Sequence, residues 1–113
     1  LSETSLYRIA TYFQILSEPS RLRLLNFLCA DEASVGDLAA ATQLSTANVS
    51  RHLTLMAKHG LVSKEARGNS VIYRLADDTL HQVCDLVCRS VIRKITTETQ
   101  AYASLIQISQ DSN

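Results

Sequence analysis

The chain has 113 residues, a length that suits one compact domain. Hydrophobic residues make up 46%, too many for a disordered chain, and no stretch approaches the roughly 18 consecutive apolar residues of a membrane span. Eleven basic residues balance eleven acidic ones, so net charge alone suggests no polyanionic partner. Three cysteines are an odd, small number that argues against a disulfide framework. With Leu1-Ser2-Glu3 lacking the features of a signal peptide, the expectation is a cytoplasmic protein with reduced thiols and no membrane association.

Leu6, Ile9, Phe13 and Leu16 recur at helical spacing and predict an amphipathic helix over 4–16. Ser17-Glu18-Pro19 breaks it, and Pro19 suits the first turn of a second helix carried by Leu22, Leu25 and Leu28 to about Cys29. Residues 30–33 read as a polar connection. Ser34 is an N-cap candidate with Asp37 three residues on, opening a short helix to about Ala41. Thr42-Gln43-Leu44 is a tight link. Ser45 is a second N-cap candidate, and Val49, Leu53 and Met56 form the buried stripe of the helix it opens. Gly60 fits the position just past that helix.

Beyond Gly60 the period changes. Leu61–Glu65 and Val71–Leu75 are β-prone runs, and Arg67-Gly68-Asn69-Ser70 between them has turn chemistry, which predicts a hairpin over 61–75. Asp77 or Asp78 caps a last helix over 77–108, with Leu80, Val83, Val87, Val91 and Ile95 as its apolar stripe.

The predicted fold is mainly α with a small β-hairpin, one domain over 1–113. The two helices within 34–60 form a helix-turn-helix unit, whose second helix places its N-terminal residues against base edges in the major groove. Those residues are Ser45, Thr46, Asn48, Ser50, Arg51 and His52, all able to hydrogen-bond. Asn pairs with adenine and Arg with guanine or phosphate. Arg67 and Asn69 at the hairpin turn are placed to reach an adjacent groove or backbone. Charge distribution agrees: from Ser45 to Arg74 there are five basic residues and one acidic, a balance of +4. The plainer reading of each feature is a solvated polar helix face.

Three stretches together resemble the ArsR/SmtB repressors. They are Leu16–Leu22, the recognition segment Leu44–Leu53, and the hairpin residues Gly60-Leu61-Val62, Arg67-Gly68 and Tyr73-Arg74-Leu75. The resemblance implies a winged helix-turn-helix that dimerises through its first and last helices. It also implies binding to a double-stranded, imperfectly palindromic operator and release by an inducer. The apolar stripes of the first and last helices fit such a homodimer. One inducer site of the family, a Cys-x-Cys pair near the third helix, has no thiol in Ser34–Leu38. The zinc pattern on the family's last helix falls on Asp77, Thr79, Ser90 and Arg93, where only one ligand type survives.

The last helix instead carries Cys84 and Cys88, one turn apart, with Cβ atoms about 5 to 6 Å from each other. That is too far for an unstrained disulfide, and a bridging thiophilic atom fits better. As(III) or Sb(III) is the sharpest expectation, with a divalent metal or a reactive sulfur species as alternatives. Cys29, His81 or a cysteine of a second copy is the candidate third ligand. Buried structural cysteines are the competing reading. No obligatory cofactor is expected. A protein-interaction module is the alternative of another class. No phosphate loop or nucleophile–base pair suggests an enzyme.

Overall fold

The computed structural model describes residues 1–111. Its helices are α1 (Glu3–Leu16), α2 (Pro19–Ala30), α3 (Val35–Thr42), α4 (Thr46–Lys58) and α5 (Asp78–Asp111). The strands are β1 (Ala33–Ser34), β2 (Val62–Arg67) and β3 (Ser70–Leu75).

Helix ends follow the capping chemistry. Ser2 Oγ accepts from the Ser5 amide at 3.1 Å, and Glu18 Oε2 accepts from the Arg21 amide at 2.9 Å. Arg21 Nε also donates to the Ile15 carbonyl at 2.7 Å, which ties the start of α2 to the end of α1. Ser34 Oγ and Ser45 Oγ accept from the Asp37 and Asn48 amides, each at 3.1 Å. Asp77 Oδ1 accepts from the Thr79 amide at 2.9 Å and opens α5.

The chain divides into two units, Leu1–Leu80 and the remainder of α5 from His81. The first unit has a core of Ile15, Leu24, Leu25, Leu28, Leu38, Val49, Leu53, Met56, Leu61, Val62, Tyr73 and Leu80. Within it α2 is central, touching α1, α3, α4 and β3. Its buried face is Leu24, Leu25 and Leu28, whereas Leu22, expected inside, is exposed. Residues 21 and 22 lie in the helix's first turn, and the inward direction falls at 21, 24, 25 and 28, spaced as one helix face. The second unit is one helix with no core of its own, and Val87, Val91 and Ile95 stand exposed on it. On α1, Leu6, Ile9 and Phe13 are exposed as well.

The hairpin strands run closer to the turn than expected, and the hairpin belongs to a three-stranded antiparallel sheet in the order β1-β3-β2. The connection read as residues 30–33 ends early, because Ala33 and Ser34 pair with Tyr73 and Ile72. Two paired residues carry no readable alternation, so such a strand leaves no signal in sequence. Gly68 at φ +60 and Asn69 make a two-residue turn, with the glycine where a type II′ turn needs it.

Candidate nucleic-acid interface

The link between α3 and α4 is fixed at both ends. Thr42 is buried, and its Oγ1 donates to the Leu38 carbonyl at 2.7 Å and accepts from the Leu44 amide at 3.4 Å. Gln43 turns the chain in the left-handed region at φ +62. Ser45 then caps α4, whose inner stripe of Val49, Leu53 and Met56 is fully buried. The helix is therefore held from behind, and its rotation about its own axis is set by three core residues.

What faces outward follows from that rotation. Ser45, Thr46, Ser50 and Arg51 are exposed, and Asn48 is half-buried. Arg51 Nη2 donates to Asn48 Oδ1 at 2.9 Å, so the two candidate base-reading side chains form one group. Ala47 and Thr54 share the exposed surface. Thr54 lies three and four residues after Arg51 and Ser50, and that spacing alone would have found it. The first-turn amides of α4 add a site suited to phosphate.

His52, expected to face DNA with the others, has charged neighbours as well. It is half-buried, and its charged neighbours are Glu18 and Arg21 at the start of α2 and Arg51 on α4. Burial holds its imidazole below the usual histidine range, against the opposing pull of Glu18.

The wing is electrically self-contained at its tip. Arg67 pairs through both terminal nitrogens with Glu32, one bond at 3.2 Å, and donates to Glu65 at 2.9 Å. Arg74 lies 3.7 Å from the same Glu65 carboxylate. The Glu32 carboxyl is held below the ordinary range, first by its hydrogen bond from Arg67, and the Arg67 guanidinium is shifted upward by Glu32 and then Glu65. Two of the five bases behind the local excess of positive charge are thus matched by two acids. Asn69 is exposed in the turn.

On α5, Cys84 is half-buried and Cys88 exposed, while Cys29 on α2 is half-buried; all three are thiols. Among the described residues, no three His, Cys, Asp or Glu side chains form a group able to hold a metal ion. No helix among them is long and apolar enough to cross a membrane.

The profile of the arsR family of bacterial regulatory proteins matches residues 18–64, the stretch from the cap of α2 into β2. An HTH-type transcriptional regulator of Mycobacterium tuberculosis is 30% identical over 98 residues, 85% of each chain. The chain belongs to the ArsR family. Its crystallised mycobacterial relative superposes with a TM-score of 0.79 at 26% identity, over 87% of this chain and 99% of that one. An SmtB repressor homolog of Synechocystis is 41% identical over 71 residues, 63% of this ArsR-family chain, which spans 54% of that relative's length. The arsenical resistance operon repressor of Staphylococcus xylosus is 31% identical over 75 residues, 66% of this chain and 72% of the relative. The fold is accordingly the winged helix-turn-helix, with α3 and α4 as the helix-turn-helix and β2–β3 as the wing. ArsR-family proteins are DNA-binding transcriptional regulators, so the chain is a transcriptional regulator.

Proposed function

We propose that the protein is a homodimeric repressor that binds operator DNA through α4 and is released by a thiophilic inducer at Cys84 and Cys88. The observation that carries the DNA reading is the Asn48–Arg51 pair on the exposed N-terminal face of a helix whose opposite face is locked in the core. Ser45, Thr46 and Ser50 flank the pair, and Asn69 lies in the wing turn. His52 adds a half-buried donor beside them.

Dimerisation fits the exposed apolar residues of α1 and α5, which water alone would otherwise cover. A two-fold pair of recognition helices reads half-sites about 34 to 36 Å apart. For the inducer, Cys84 and Cys88 offer two soft donors one helical turn apart, and one is solvent-accessible. A pyramidal As(III) or Sb(III) accepts two or three thiolates. A third donor would come from a second copy or from solvent. The relatives named for SmtB and for arsenical resistance make a metal or metalloid inducer a consistent choice.

The test is fluorescence anisotropy of the reduced protein on a labelled duplex from the promoter region of its own gene, titrated with arsenite. Tight, salt-sensitive binding and release near one equivalent per site is the expected result. Cys84→Ser and Cys88→Ser should each keep DNA binding and lose release. Normal release in both variants would move the inducer site elsewhere. Binding unaffected by arsenite would leave the repressor and direct the titration to divalent metals and sulfur species. Failure to bind any promoter duplex would favour a protein-docking role for the winged helix.

A further inference from the structure

The wing tip is built against the contact its sequence advertises. Arg67 ends β2, and Glu32 immediately precedes β1 at the other edge of the sheet. Glu65, Arg67 and Arg74 lie on one face by strand alternation: Glu65 is two residues before Arg67 and opposite Ile72, which is two before Arg74. Glu32 reaches this group from the strand-order side of β1, 35 residues away in sequence. Its position is supported locally by the Asp31 carboxylate, which accepts from the Glu32 amide at 2.8 Å.

A guanidinium recognises phosphate or guanine through the parallel N–H bonds of one edge. In Arg67 the edge made by the two terminal nitrogens is already occupied by the two oxygens of Glu32, and Glu65 takes a further bond from Nη2. A phosphate approaching that edge has to displace a carboxylate of the same geometry and charge sign. The pair is nonetheless exposed, at 46% for Arg67 and 33% for Glu32, so it is weak and exchangeable rather than locked.

We infer that Glu32, backed by Glu65, competes with DNA phosphate for the Arg67 guanidinium and thereby holds down the strength of the wing's contact with DNA. This rests on the reading of α4 and the wing as the DNA-binding surface. Glu32 is then an affinity-setting residue that touches no DNA itself. Its carboxylate keeps Arg67 from adding a full phosphate contact, which leaves the recognition helix as the main source of operator affinity.

The experiment is a salt titration of binding to the labelled promoter duplex, comparing the unmodified protein with Glu32→Gln, Arg67→Gln and the double variant. Glu32→Gln should bind severalfold more tightly at low salt, with the log–log salt slope steeper by about 0.9, one added phosphate contact. Glu32→Gln/Glu65→Gln should go further in the same direction. In the Arg67→Gln background the Glu32 substitution should change neither affinity nor slope. A gain that persists there would mean that Glu32 acts only as a repelling charge, and would overturn the proposal. Unchanged or weaker binding by Glu32→Gln would overturn it too, in the second case by making Glu32 a residue that aims Arg67 at DNA. If the unmodified protein binds no promoter duplex at any salt, the DNA reading fails first and takes this inference with it.

Discussion

Arg51 and Asn48 are joined by a 2.9 Å hydrogen bond from Nη2 to Oδ1, one turn apart on the outward face of α4. The bond takes one of the two lone pairs of Oδ1, so an Asn48 that reads adenine with both ends of its amide shares that oxygen between the base and Arg51. It also limits the conformations of a long, flexible side chain, so the Arg51 guanidinium is already oriented before any partner arrives. On the proposed DNA reading the pair would act as an arginine contact with an asparagine support.

Removing either partner should weaken operator binding, and the two losses should not add. Arg51→Ala is expected to cost about 1 to 3 kcal/mol, roughly a five- to 150-fold loss, with the fold unchanged by circular dichroism. Asn48→Ala should cost less. The double variant should resemble Arg51→Ala alone, giving a coupling term in a double-mutant cycle measured by anisotropy. Independent losses would mean that each residue contacts DNA by itself.

The serine caps make a stability prediction. Ser34→Ala and Ser45→Ala each remove an acceptor for a first-turn amide. Each should lower the unfolding free energy by about 1 kcal/mol in urea denaturation. Ser45→Ala should also weaken DNA binding, because the frayed turn carries Thr46 and Asn48. Ser34→Ala should leave DNA binding nearly untouched at temperatures where the protein stays folded.

His52 predicts a pH dependence with a definite sign. Burial lowers its folded-state pKa below the ordinary 6.5, so the unfolded chain takes up a proton that the folded one resists. That contribution to stability is present above about pH 6.5 and is lost as pH falls below it. Glu18 and Glu32, whose carboxyls are shifted down, lose their contributions only at lower pH, through and below the ordinary 4.5. Thermal melts should show a decline between pH 7 and 5 that His52→Gln flattens. An unchanged decline in that variant would assign it to another group.

The exposed stripes of α1 and α5 predict an association that single charges break. Phe13 is 57% exposed and Val91 46% exposed. Phe13→Asp and Val91→Asp should each shift the protein from dimer to monomer in sedimentation equilibrium, while the first unit keeps its cooperative melt. Both should reduce operator affinity, because one half-site contact is lost. A monomeric unmodified protein at micromolar concentration would exclude the dimer.

Helix boundaries and caps were legible because their signals are local. Ser34 and Ser45 bond to amides three residues on, and Gly60 adopts the φ of +77 that its place after α4 suggests. The stripe of Val49, Leu53 and Met56 was equally plain, since helical period sorts inside from outside. The wing's charge balance was not legible. Arg67 reads as a free base until Glu32 arrives from 35 residues away, and sequence spacing holds no trace of that meeting. The partial burial of His52 was hidden for a related reason. It lies beside the polar face by count, yet charged residues at the start of α2 lie near it and it is half-buried. The two-residue β1 was too short to show alternation, and the exposed start of α2 was hidden by leucines at 22, 24, 25 and 28, which fit more than one face.

The end of α4 leaves no slack before the wing. The Gly60 amide bonds back to Ala57, the Leu61 amide bonds to Met56 at 2.9 Å, and Leu61, buried, receives the Ala76 amide at 3.0 Å. Helix α4 and the wing are thereby a single casting. A graft intended to give this regulator a new target has to move Glu32 through Leu75 as one cassette, because cutting between Lys58 and Val62 severs the hinge-free joint that aligns α4 with the wing. Natural change is under the same constraint: substitutions on the outward face of α4 leave this joint intact, while insertions after Gly60 would shift the wing against α4.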